Sequence, residues 1–226
     1  MTISMTKREK TFGWIFLALT PLVLPVAIVG VCQLADFQLD EGQLNCLIFG
    51  INCLLTLLIF HHFLWKNAVK VLSDPWRSLR WAGIGFAIYY GSSMLVNLLI
   101  SVVAPDFANA NDASILTMVQ EHFVLMTVGT VFLVPITEET LYRGLVFGAL
   151  LRKNRILAYG LSMAIFSALH VVGYIGTMPP LHLLLSFLQY LPGGFALALA
   201  YDKSGSIWTS ILIHMTINQI SILSLR

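Results

Sequence analysis

Apolar stretches of about twenty residues recur along this chain, and nothing else in it limits the fold as strongly. Roughly 20 apolar residues in a helix cross the ~30 Å hydrocarbon core of a bilayer. In lipid every backbone N–H and C=O must be bonded within its own element, so such runs are read as helices. Four clear runs are Phe12–Leu34, Leu44–Trp65, Trp81–Ala104 and Ile115–Pro135. A shorter apolar piece, Leu141–Leu151, follows, and then Ile156–Val172, Leu181–Tyr201 and Ile207–Leu223. The expected fold is all-α: a polytopic bundle of about eight membrane helices enclosing a polar intramembrane cavity. It forms a single membrane-embedded domain over residues 1–226, with N-terminal spans over 12–115 and a motif-bearing core over 134–220. Composition agrees, since 58% of the residues are hydrophobic and only 11% charged. Too few charges remain to cover a soluble domain of this size, so the lipid bilayer is the first partner.

Charge distribution sets an orientation. Lys7, Arg8 and Lys10 precede the first run, and Lys66, Lys70, Arg77 and Arg80 lie between the second and third. The first and third connections carry Asp36, Asp40, Glu41, Asp106 and Asp112, with no Lys or Arg. By the positive-inside rule the N-terminus is cytoplasmic. Arg143, Arg152, Lys153, Arg155 and Lys203 join that side, leaving Arg226 outside, provided Leu141–Leu151 does not cross. At about 1.5 Å per residue its eleven residues reach about 17 Å, too short for a span. It is expected as a buried or half-inserted helix on the cytoplasmic side; the competing reading lets it cross at a tilt. Basic residues form no stripe interleaved with aromatics, so nothing supports nucleic-acid binding. Cys32, Cys46 and Cys53 lie in or beside apolar runs without CxxC spacing and read as small apolar residues. The first run is too long for a signal h-region and is expected to be retained. Pro21 and Pro25 should kink it, and Pro192-Gly193-Gly194 should interrupt the seventh, either widening a cavity or, as the favoured purpose, letting helices pack closely.

Three polar stretches interrupt the apolar background of the C-terminal half. In Glu138-Glu139-Thr140-Leu141-Tyr142-Arg143-Gly144, Glu139 and Arg143 are four apart and share a helix face, so they can pair. Glu138 is turned about 100° away and left for another task. The bland alternative is an interfacial cap in which Thr137 and the acids favour a helix N-terminus. In Phe166-Ser167-Ala168-Leu169-His170 a histidine stands among apolar and small residues, and an ionisable group within a membrane helix is more often functional than decorative. Along the last run, His214 and Asn218 project from one face with Ser210 a turn before them. That pair either holds helices together or aims two donors at one small target.

The inventory holds a carboxylate, an assisting histidine and a His/Asn donor pair, with no serine or cysteine in a GxSxG-like setting. It suits attack of water on a peptide carbonyl. Glu138 takes the proton, His170 assists, and His214 and Asn218 stabilise the oxyanion. Three groups, Glu138, His170 and His214, could also hold zinc. No HExxH is present and Asn is a poor zinc ligand, so the expectation is no cofactor.

EETLYRG, FSALH and HMTIN, in that order, resemble the EExxxR, FxxxH and HxxxN motifs of the CPBP family. That family groups CAAX-processing endopeptidases of the Ras-converting type with bacterial intramembrane peptidases and bacteriocin-immunity proteins. The likeness covers roughly Val134 to Asn218, and Gly205-Ser206-Ile207-Trp208 also looks familial. The resemblance implies Glu138 as catalytic base, His170 as its assistant, and His214 and Asn218 as the oxyanion site. Glu139, Arg143 and Phe166 are supporting residues. It further implies a helical bundle around a conical cavity open to the cytoplasm, and a membrane-embedded or lipidated peptide or protein as substrate. The compact chain with small loops points to the bacterial plasma membrane. The alternative within the family is a non-proteolytic immunity protein or signalling modulator. A transporter using Glu121 and His122 is a weaker third reading, because no inverted repeat is evident.

Overall fold

The computed structural model describes residues 2–224, so Arg226, expected outside, lies beyond the described residues. These residues are 85% helical in ten helices, with no strand among them. The elements are α1 (Lys7–Leu19), α2 (Val23–Leu34), α3 (Glu41–Ile59), α4 (His61–Ser73), α5 (Pro75–Val103) and α6 (Ala110–Glu121). They continue as α7 (Phe123–Leu150), α8 (Arg155–Tyr174), α9 (Pro180–Ser204) and α10 (Ile207–Ser224). Six are long and apolar enough to cross a membrane, and α1 with α2, bent by 65°, is long and apolar enough together to form either a broken seventh span or a re-entrant pair. Pro21 sits in that bend, where its missing N–H and its ring break the helical ladder, as the sequence predicts. The molecule is an all-α polytopic integral membrane protein.

The bounds depart from expectation in two places, each with a polar cause. Leu44–Trp65 is not one span: α3 stops at Phe60 (φ −108°, ψ 20°). Beyond it come His61, His62, Lys66 and Asn67, which would leave hydrocarbon-facing polar groups had the span continued. The chain therefore turns, and α4 buries Phe63, Leu64 and Asn67 while Trp65 and Leu72 stay exposed. Likewise Ile115–Pro135 is divided at His122 (φ −135°, ψ 57°). His122 Nε2 lies 2.9 Å from Asp40 Oδ2, tying the two acidic connections together. Asp40 also caps α3 by accepting from the Gln43 N–H at 2.9 Å. Downstream of the break, Leu141–Leu151 is no separate half-inserted helix but the continuation of α7, which runs to Leu150. Arg143 is accordingly fully buried within the span instead of lying at its cytoplasmic end.

Contacts gather the basic connections at one end of the bundle. Arg77 donates through Nε and Nη2 to the Lys203 carbonyl at 3.0 and 2.7 Å. Arg155 Nη1 reaches Asp202 at 2.8 Å. The turn from α9 to α10 is docked on α4. Gly205 takes the left-handed conformation (φ 79°), which glycine adopts without strain. Ser206 Oγ donates to the Asn67 carbonyl, Ile207 N–H to Asn67 Oδ1 and Trp208 Nε1–H to the Leu64 carbonyl, each at 2.9 Å. These bonds account for the Gly-Ser-Ile-Trp stretch: each residue is held by α4 or by the turn itself. Glu9, 4% exposed, accepts from the Phe63 N–H at 2.7 Å and so ties α1 to the start of α4.

Candidate active site

Pro135 sets the local backbone from which the site is built. Having no N–H, it cannot complete the regular ladder, and the helix ahead of it widens: Val134 N–H donates to the Gly129 carbonyl five residues back. Wide-turn geometry returns over Glu139–Phe147, where Gly148 N–H reaches the Arg143 carbonyl. Such i→i+5 turns within α-helices are rare and recur at functional sites. Here they carry the whole acidic motif into the bundle interior.

Glu139 is the hub. Fully buried, it accepts from Arg143 Nη1 at 2.9 Å, from His214 Nδ1 at 2.9 Å and from the Ser210 hydroxyl. The pairing with Arg143 is the one expected from their spacing. The approach of Ser210 and His214 from α10 could not be read from spacing. Arg143 also lies over the Phe166 ring, 4.2 Å from its centroid, so the phenylalanine of FSALH supports the guanidinium by a cation–π contact. Phe166 packs edge-on against His214 at 5.9 Å and lies 4.5 Å from the His170 ring.

Glu138, by contrast, is half-buried and accepts no hydrogen bond from the described residues; its Oε2 is buried without a donor. His170 Nδ1 is 2.8 Å from the Phe166 carbonyl, which only accepts, so Nδ1 carries a proton and, in the neutral ring, Nε2 holds the lone pair. The same reasoning at His214 puts a proton on Nδ1 towards Glu139, so Nε2 bears a hydrogen only when the ring is charged. Asn218 donates one amide hydrogen to the Thr130 carbonyl at 2.8 Å, leaving the second uncommitted in that bond.

Glu139, Arg143, Phe166, His170, Ser210 and His214 thus form one contact network drawn from α7, α8 and α10. Glu138 flanks the network on α7, and Asn218 lies one helical turn beyond His214 on α10. Among the described residues no three His, Cys, Asp or Glu side chains converge closely enough to hold a metal ion. Tyr190, which stacks on His170, and Asn111, which bonds to Tyr190, are not singled out by the sequence, and Asp112 figures there only as a charge of the acidic connection. The polar run Asn109-Ala110-Asn111-Asp112, directly ahead of a helix, was the available signal. Glu121 and His122 lie at a helix junction, not within a span, which removes the basis for the transporter reading.

Residues 120–220 match the family model described as Rce1-like, type II CAAX prenyl endopeptidase Rce1-like. That stretch takes in all three motifs. The chain is also similar to a Bacillus subtilis (strain 168) protein named "Putative membrane peptidase YdiL". The two are 26% identical over 202 residues, covering 88% of this chain and 78% of the relative. No solved structure matches. Both comparisons agree with the CPBP resemblance carried by the motifs.

Proposed function

We propose that this protein is an intramembrane endopeptidase that hydrolyses a membrane-embedded or lipidated peptide with water activated by Glu138. The observation that carries this reading is the contrast between two adjacent carboxylates. Glu139 accepts three donors and is spent on structure, whereas Glu138 accepts none and is half-buried beside it. A carboxylate that accepts no donor has its oxygens free to take a proton from water, which a general base needs. Water attacks the scissile carbonyl carbon as Glu138 takes its proton. His170 accepts a hydrogen bond from that water through Nε2. Asn218, through its second amide hydrogen, and His214, through Nε2–H when both ring nitrogens carry a proton, hold the oxyanion. Collapse of the tetrahedral species breaks the C–N bond, and Glu138 returns the proton to the leaving amine. No metal enters this scheme, and chelators should leave the rate unchanged. The site opens towards the basic, cytoplasmic end of the bundle in the bacterial plasma membrane.

The test compares new protein termini in membranes of cells expressing the wild type or Glu138→Gln at matched abundance. A defined set of termini should fall at least about a hundredfold in the variant, the usual contribution of a general base. If the same termini persist unchanged, the glutamate mechanism is wrong. If no termini depend on the protein, yet loss of Glu138, His170 and His214 together leaves resistance or signalling intact, the non-proteolytic immunity or modulator reading replaces it.

A further inference from the structure

The His170 ring is held from two sides. On its own helix, Phe166 lies 4.5 Å away and its carbonyl accepts a hydrogen bond from Nδ1–H. On the other side Tyr190 of α9 stacks on the imidazole, with centroids 4.3 Å apart and planes 29° from parallel. Tyr190 is itself anchored. Its hydroxyl donates to Asp112 Oδ1 at 3.1 Å and accepts from Asn111 Nδ2 at 3.0 Å. The neighbouring Gln189 accepts from Asn109 Nδ2 at 2.7 Å and donates to Asn97 Oδ1 at 2.9 Å. Asn109 in turn caps α6, its Oδ1 accepting from the N–H groups of Asn111 and Asp112 at 3.0 and 3.4 Å.

Two consecutive residues of α9 are therefore bonded to the acidic connection that precedes α7. They lie ten residues into α9, about 15 Å from its start at 1.5 Å per residue. The connection folds back along the bundle to that depth instead of staying at its rim. Polar groups at such depth persist only when bonded, and each hydrogen bond named here satisfies two of them. The terminal torsion of histidine is broad and roughly two-fold, so a single N–H anchor leaves the ring free to tilt. The stacked phenol removes that freedom.

We propose that Tyr190, braced by Asn111 and Asp112, is a positioning residue that holds the His170 imidazole in its working orientation from the acidic end of the bundle. This rests on the function proposed above. Misplacing a reacting group by about 1 Å costs roughly a hundredfold in rate.

The test uses the full-length purified protein and a synthetic peptide spanning a cleavage site that Glu138→Gln abolishes in membranes. Tyr190→Leu should lower kcat about tenfold to a hundredfold with KM little changed. Tyr190→Phe, which keeps the stack and loses the brace, should retain most of the activity and control for folding. In a His170→Ala background Tyr190→Leu should cost nothing more, because the two changes act through one group. A substrate-free arm follows the His170 Hε1 resonance, assigned with His170→Ala. Loss of ring-current shielding in Tyr190→Leu should move it downfield. An unmoved resonance, an unchanged kcat, a rise in KM alone, or a full additional loss in the His170→Ala background each overturns the proposal. If Glu138→Gln itself cleaves normally, the catalytic reading fails, and the resonance still reports whether Tyr190 holds His170.

Discussion

Glu139 sits where a charge is hardest to keep, fully buried among helices, and it persists because a cation, an imidazole and a hydroxyl all converge on it. Removing one member of a buried ion pair leaves the other charge unpaired, at a typical cost of about 3–5 kcal/mol. Glu139→Gln should therefore lower the unfolding midpoint of the purified protein by an amount of about that size, measured by denaturant titration in mild detergent. Glu139→Gln combined with Arg143→Met should recover part of the loss, since no unpaired charge remains. An unchanged midpoint in the single variant would mean that the pair does not support the site. The same substitution frees His214 from the requirement that its Nδ1 donate, so activity should fall even where the fold survives. At this scale the sequence was informative about identity and less so about partnership. Spacing of four revealed the Glu139–Arg143 pair and left Glu138 apart. That His214 serves Glu139 depends on how α10 packs against α7, which no local spacing encodes.

Helix packing turns on close approaches that only side-chain size controls. A Cβ on Gly194 would stand 2.9 Å from the Met163 Cα, so α8 and α9 meet backbone to backbone at that point. On Gly160, in the same α8, a Cβ would meet nothing within 4 Å. Gly194→Ala should destabilise by about 1–3 kcal/mol through overpacking. Gly160→Ala should be neutral or stabilising by up to about 1 kcal/mol, from helix propensity. Thermal unfolding of the two variants in detergent tests both, and a Gly194→Ala protein as stable as wild type would contradict the tight α8–α9 contact. The Pro192-Gly193-Gly194 run was expected to interrupt the seventh span; α9 instead continues through it unbroken, and its part in packing is the close approach at Gly194. What hydropathy could not locate were the helix ends. An apolar count sees Ile115–Pro135 as one span because the single break at His122 leaves the average high. The Asp40–His122 contact that fixes the break joins residues 82 apart in sequence.

Six helices long and apolar enough to span, with the bent α1–α2 pair as a candidate seventh, make the molecule two-ended, and the two ends carry opposite charge. The connections at 35–40 and 104–122 hold acids without Lys or Arg, while α4 and the turn at 151–154 hold Lys66, Lys70, Arg152 and Lys153. Phe123–Leu150 is one helix long and apolar enough to cross a membrane, so a crossing there would put the connection that precedes it and residue 153 on opposite sides. Had Leu141–Leu151 crossed separately, the two positions would share a side. Single cysteines at Asp106 and Lys153, in a protein whose Cys32, Cys46 and Cys53 are replaced by alanine, decide between these arrangements. The positive-inside rule predicts that Asp106→Cys reacts with a membrane-impermeant maleimide added to intact cells, and that Lys153→Cys reacts only after permeabilisation. Labelling of both from one side would overturn the single α7 crossing, and the reverse pattern would invert the molecule. The result also bears on chemistry. With α6 folded against Tyr190 at the acidic end, the proposed route of a peptide to Glu138 is from the basic end, which the positive-inside rule assigns to the cytoplasm.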